Sequence, residues 1–155
     1  MSDSNSTKPI RSFRDLDVYQ NSYKAMIRVF VEMLPLIPKT EQYDLANQLR
    51  RSSKAIPRLI AEGYAKKHQR LGFQKHLDDA LGESNQTMVS LEQGKDIYHI
   101  DTELVDGLVD MYDKTSRQLF KLSYSWNTFK ERSKEKKTEE KAAVEQTVMS
   151  VSVPA

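Results

Sequence analysis

The sequence contains no cysteine, which excludes disulfides, thiolate metal sites and a cysteine nucleophile. That absence fits a reducing compartment, and the expected location is cytoplasmic. No 18 apolar residues run together, and the serine-rich start from Met1 to Lys8 lacks an apolar stretch, so neither a membrane span nor export is expected. Glycine is scarce and scattered: Gly63, Gly72, Gly82, Gly94 and Gly107 stand singly, so no glycine-rich loop is available to cradle a nucleotide's phosphates. The only histidines are His68, His76 and His99, and none has Glu three residues before it. This removes the Glu-x-x-His pairs that di-metal bundles require. His76 and Asp79 lie one turn apart, yet no nucleophile or oxyanion hole accompanies them, and they are expected to be surface neighbours. A non-enzymatic protein without cofactor or metal is expected.

What the chain has in quantity is helical periodicity. Leu16, Tyr19, Tyr23, Met26, Phe30 and Met33 recur at spacings of three and four, the signature of one helix face. Ser12 and Asp15 form a capping pair, and Pro35 and Pro38 stop the run, which predicts a first helix near 14–34. After Thr40 as a cap, a second stripe follows: Leu45, Leu49, Ser52, Ile56, Leu59 and Gly63. Pro57 falls inside it and is expected to kink the helix without dividing it, because the stripe stays in phase; Gly63 is a candidate end. Phe73, Leu77, Ala80, Ser84, Met88 and Leu91 form a third stripe closed by Gly94, and the small Ala80, Gly82 and Ser84 suit a close approach. Asp101 caps a fourth helix, with Ile100 and Val105 as a staple and a stripe of Leu104, Leu108, Met111, Thr115, Leu119, Leu122, Trp126 and Phe129. Short connections between helices of similar length predict an all-α, antiparallel up-down-up-down four-helix bundle over 13–130. The flanks are a flexible leader, 1–12, and a disordered charged tail, 131–155.

The formal net charge is only +2, but it is unevenly spread. Lys and Arg outnumber Asp and Glu by 7 to 3 over 41–70, whereas 71–129 carries 5 against 10. On the second helix Arg50, Lys54 and Arg58 follow at four-residue intervals with Arg51 beside them, opposite the apolar stripe, and no acidic residue falls between 45 and 61. Outward guanidinium and ammonium groups in that pattern suit phosphate oxygens. Lys66, Lys67 and Arg70 prolong the segment. Without a base-reading helix-turn-helix or a stacking platform, any nucleic acid, RNA or DNA, would be held by its backbone. The same charges also suit solvent, carboxylates of the third and fourth helices, or a protein partner. Tyr19, Tyr23, Tyr43, Tyr64, Trp126 and Phe129 are expected in the core or an interface, and Ile27, Val31, Ile60 and Val109 widen the apolar faces toward self-association.

Phe13-Arg-Asp-Leu-Asp-Val-Tyr-Gln20, then Glu41 to Tyr43, Gln48-Leu-Arg-Arg-Ser-Ser-Lys-Ala-Ile56 and Ile60-Ala-Glu-Gly63 together resemble the bacterial four-helix-bundle family of 23S ribosomal RNA intervening-sequence proteins. That family is in turn similar to the accessory variability proteins of diversity-generating retroelements. The resemblance spans roughly residues 13–125 and implies a bundle that assembles as a ring-like homopentamer without catalytic activity. For the retroelement relatives it implies contact with nucleic acid and a reverse transcriptase. It carries the basic stretch onto Arg50 and Arg51, and Leu59 stands where the family usually has Asn. The leading expectation is an oligomeric nucleic-acid-binding bundle whose phosphate contacts are Arg50, Arg51, Lys54 and Arg58. The rival is a protein-interaction scaffold.

Overall fold

The computed structural model describes residues 9–151, all of whose α-helices pack into one bundle. The α-helices are α1, Asp17–Arg28; α2, Leu45–Ala65; α3, Gly72–Tyr98; and α4, Thr102–Val151. Among the described residues there is no strand. A π-helical stretch, Val29–Met33, continues α1, so the predicted first helix is divided and, short 3-10 turns aside, the helices among the described residues number five rather than four. α1 lies against α2 and α4, α2 against α3, and α3 against α4, which closes the ring of helices. Cross-helix pairs fix the directions. Asn21 meets Gln118 and Arg28 meets Met111, Ser84 meets Ser116 and Lys95 meets Asp106, and Arg51 meets Glu83 while Gly63 faces His76, so α4 runs antiparallel to α1 and to α3, and α3 antiparallel to α2.

The starts of the helices follow the sequence closely. Ser12 and Asp15 form a reciprocal capping box, although it closes a 3-10 turn, Phe13–Asp15, and α1 begins beyond Leu16. Asp101 accepts a hydrogen bond from the Leu104 amide at 3.1 Å, capping α4 as expected. α2, by contrast, starts at Leu45 and not at Thr40, because Lys39–Glu41 forms a separate 3-10 turn; Glu41 Oε2 accepts from the Leu45 amide at 3.3 Å. α2 passes Pro57 as one helix.

Two glycines read as end signals are packing positions instead. A Cβ on Gly63 would stand 2.6 Å from His76 Cβ, and one on Gly94 would stand 2.7 Å from Met33 Cε. Helix α3 ends past Gly94 at Tyr98, where His99 adopts a left-handed φ of 55°. Gly82 has open space in front of it and plays no part in the close approach that Ala80 and Ser84 make.

The core unites Val29, Met33, Leu49, Ile56, Ile60, Phe73, Leu77, Leu91, Leu108 and Leu119, all essentially solvent-free. On α1 the inward line is Val18, Ser22 and Ala25, smaller residues than the predicted stripe; Tyr23 is exposed. Small inward residues let α1 approach its neighbours, and the large aromatic side chains move to the flanks. A polar seam of Ser52 and Thr87, and of Ser84 and Ser116, runs between α2, α3 and α4; each pair is hydrogen-bonded at 2.8 Å, which satisfies the buried hydroxyls.

The region expected to be a disordered tail from residue 131 is helical as far as Val151, and α4 runs unbroken from the bundle into it. Alanines and a good complement of Lys and Glu give that segment high helix propensity. Nearly every described side chain over 132–150 is exposed, so this half of α4 is a single helix outside the core.

Candidate nucleic-acid interface

At ~100° per residue, Arg50, Lys54, Arg58 and Arg51 fall within a sector of about 100° on α2. The buried residues Leu49, Ser52, Ile56 and Ile60 occupy the opposite side, so core packing itself turns the four cations outward. The structure thus brings together all four residues singled out in the sequence, but their environments differ.

Arg51 is engaged. Its Nη1 donates to Glu83 Oε1 and its Nη2 to Gln86 Oε1, both at 3.0 Å, a fork that ties α2 to α3. Arg50 leans to the other flank and donates weakly to the Gln42 carbonyl at 3.5 Å. The Lys54 ammonium lies 5.9 Å from the centroid of the Phe30 ring, within cation–π range of α1's π-helical stretch. Arg58 is exposed, and among the described residues neither it, Arg50 nor Lys54 forms an ion pair. The arrangement offers three uncompensated cations and a fourth held by a carboxylate. Glu83 and Gln86 were not foreseen as partners, because choosing among ten carboxylates requires the α2–α3 register, which the sequence does not display.

Toward the far end of α2, Glu62 serves two neighbours: Lys66 Nζ at 3.2 Å and His76 Nε2 at 3.5 Å. The hydrogen bond and charge of Lys66, with His76 adding to them, hold the Glu62 carboxyl below the ordinary range. His76 Nδ1 lies 2.7 Å from the Gly72 carbonyl, so both ring nitrogens face Glu62 and Gly72 and not Asp79. Lys67 places its ammonium 3.8 Å above the Tyr64 ring, and Tyr64 packs edge-on to Phe73, itself edge-on to Trp126.

On the segment whose Phe30 meets Lys54, α1 and the π-helical stretch that continues it present Tyr23, Ile27 and Val31 to solvent at successive four-residue steps. Tyr43 is 89% exposed, whereas Ile60 is buried. The side chain of Phe129 lies outside the described residues.

The opposite end of the bundle holds a cavity of about 330 Å³ lined by Glu41, Asp44, Gln48, Gln93 and Tyr98. There the Tyr98 hydroxyl donates to Glu41, which pushes the Tyr98 phenol pKa up. Both Glu41 oxygens are thereby occupied, one by Tyr98 and one by the Leu45 amide. Among the described residues no group of three His, Asp or Glu side chains is placed to hold a metal ion, and no helix is long and apolar enough to cross a membrane.

Comparison with known proteins adds two findings. Residues 14–121 match the family model for the 23S rRNA-intervening sequence protein. The fold is similar to a crystal structure of a protein with unknown function from the S23 ribosomal protein family of Bacteroides thetaiotaomicron VPI-5482, at 21% identity and a TM-score of 0.62. That similarity covers 69% of this chain and 95% of the other. No curated protein sequence matches significantly.

Proposed function

The chain belongs to the 23S rRNA-intervening sequence protein family, and from that premise we propose that it is a non-enzymatic, oligomeric bundle that binds the backbone of RNA or DNA through the outer face of α2. The observation that carries this reading is the set of three outward cations, Arg50, Lys54 and Arg58, without carboxylate partners among the described residues. Phosphate contacts by such groups fix a strand without reading its bases. Arg51 contributes once it exchanges Glu83 for a phosphate.

Assembly matters to this reading. A ring of five copies, the arrangement implied by the family resemblance, repeats a patch of three or four charges around an axis, and simultaneous contacts raise avidity far beyond one copy's affinity. A role as accessory factor to a reverse transcriptase in the cytoplasm fits the same chemistry. The test is fluorescence anisotropy of a labelled structured RNA across a KCl series, with an R50E/K54E/R58E variant alongside. Binding with a steep salt slope, lost in the variant, supports the proposal. Unchanged binding in the variant refutes it.

A second reading has its own observation. The Tyr23, Ile27 and Val31 stripe lies on the segment whose Phe30 meets Lys54, and an apolar strip near charge suits a protein partner. If light scattering shows copies separating as salt rises while RNA fails to bind at low salt, the cations serve a protein interface and the molecule is a scaffold.

A further inference from the structure

The bundle is electrically polar along its length, a property that its net charge of +2 conceals. Residues 92–113, which form the turn from α3 into α4 and its flanks, contain seven carboxylates against the single Lys95. At the other end, the stretch between Glu62 and Asp78 holds Lys66, Lys67, Arg70 and Lys75 and no carboxylate. Arg11 and Arg14 join that end because the 3-10 turn Phe13–Asp15 packs against α2, but Asp15 and Asp17 come with them, so this segment adds no net charge. The two ends are separated by the 27 residues of α3, about 40 Å at ~1.5 Å per residue. A Debye length of roughly 8–10 Å at physiological salt screens one end from the other, so a polyanion at the basic end does not sense the acidic one.

The basic turn is also held in shape. The Gln69 amide donates to the Lys66 carbonyl at 3.0 Å, and the Gly72 amide to the Gln69 carbonyl at 3.2 Å. A Cβ on Gly72 would stand 2.4 Å from the Lys66 oxygen, so only glycine fits where the chain doubles back. Lys67 rests on Tyr64, and Tyr64 is anchored through Phe73 to Trp126 in the core. Arg70 and Lys75 are exposed, and among the described residues neither takes part in an ion pair. Cations on a braced turn lose little freedom on meeting a ligand.

We propose that the α2–α3 turn, through Lys66, Lys67 and Arg70, is a second backbone contact for nucleic acid, separated from the α2 face by Glu62, whose pairing with Lys66 a phosphate would replace. A bound strand then follows α2 from Arg50 to the turn, about 24 Å at ~1.5 Å per residue. This inference rests on the nucleic-acid reading of the α2 face and assigns it a direction.

The experiment uses the full chain and a fluorescein-labelled 24-nucleotide single-stranded RNA, with anisotropy read from 50 to 300 mM KCl. Variant K66E/K67E/R70E is compared with R50E/K54E/R58E, each checked by circular dichroism. The turn variant is expected to bind at least tenfold more weakly at 50 mM KCl, with a log–log salt slope shallower by about 2, at ~0.7 per phosphate contact on a single strand. Should the glutamates unfold the turn, K66Q/K67Q/R70Q is expected to show the same loss of slope with a smaller loss of affinity. If the turn variants bind as the parent does while the α2 variant fails, the turn inference falls and the α2 reading stands. If all variants bind as the parent does, both fall. Binding of the parent to phosphatidylglycerol vesicles with no RNA binding also overturns the inference.

Discussion

Gly63 of α2 and His76 of α3 meet so closely that a methyl group on the glycine would stand 2.6 Å from the histidine's Cβ. A Cβ cannot swing aside, so relief would require the two helices to part. Gly63→Ala is therefore expected to destabilise the bundle by about 1–3 kcal/mol despite the better helix propensity of alanine. Gly94→Ala meets only the tips of Met33 and Ile100, which can rotate, and the gain in propensity of up to ~1 kcal/mol offsets most of the crowding. Urea denaturation of both variants measures the contrast, and equal losses would refute it.

Tyr112 is solvent-free, and its hydroxyl has no hydrogen-bond partner among the described residues. Burial pushes its phenol pKa well above the ordinary value. A pKa raised in the folded state means that the associated stability is complete below about pH 10, the unfolded value, and is lost as pH rises beyond it. Tyr112→Phe removes both the unpaired group and the titration. It is expected to be neutral or more stable by about 1 kcal/mol at pH 7 and to keep its stability further into alkali than the parent. Parallel thermal melts at pH 7 and pH 10.5 check this.

Glu83 holds Arg51 away from any ligand. Glu83→Gln leaves Arg51 held only by neutral acceptors, Gln86 among them, and removes a negative charge beside the basic face, so RNA affinity at 50 mM KCl is expected to rise two- to fivefold. Because Arg51's side chain is half exposed, the lost pair costs at most ~1 kcal/mol of stability. Anisotropy and urea denatization read on the same variant separate the two effects; weaker binding would count against the α2 face.

Ending the chain after residue 130 removes the outer helix while leaving the buried residues in place. The melting temperature is expected to stay within about 2 °C of the parent, since surface changes away from packed features lie within roughly ±0.5 kcal/mol. Mean residue ellipticity reports what was lost. A large drop in melting temperature would show that the outer helix packs on the bundle.

Much of the fold was legible because capping and periodicity are local. Asp101 and Ser12 announced their turns, and most inward positions of α2 and α3 obeyed spacing, although Ile60 and Thr87 are buried while the stripe members Leu59 and Met88 are only half-buried. The misreadings share a cause. Gly63 and Gly94 resemble stop signals until the facing His76 and Met33 are known, and Val18, Ser22 and Ala25 are less conspicuous than the aromatic residues around them. The cationic face was visible as a four-residue rhythm, but the difference between Arg51 and Arg58 depends on Glu83, 32 positions away in the chain. Beyond residue 131 the chain lacks an apolar stripe, and helix propensity alone marks the helix that runs there.

α4 also governs how the molecule moves through water. It runs 50 residues, about 75 Å at ~1.5 Å per residue, and roughly half of that length projects beyond the bundle. Such a rod raises translational friction with little added mass. A column calibrated with globular standards will assign the 17.9 kDa chain too large a size, and the same bias will inflate any subunit count taken from elution volume. Stoichiometry must come from scattering or sedimentation equilibrium, which weigh particles without regard to shape.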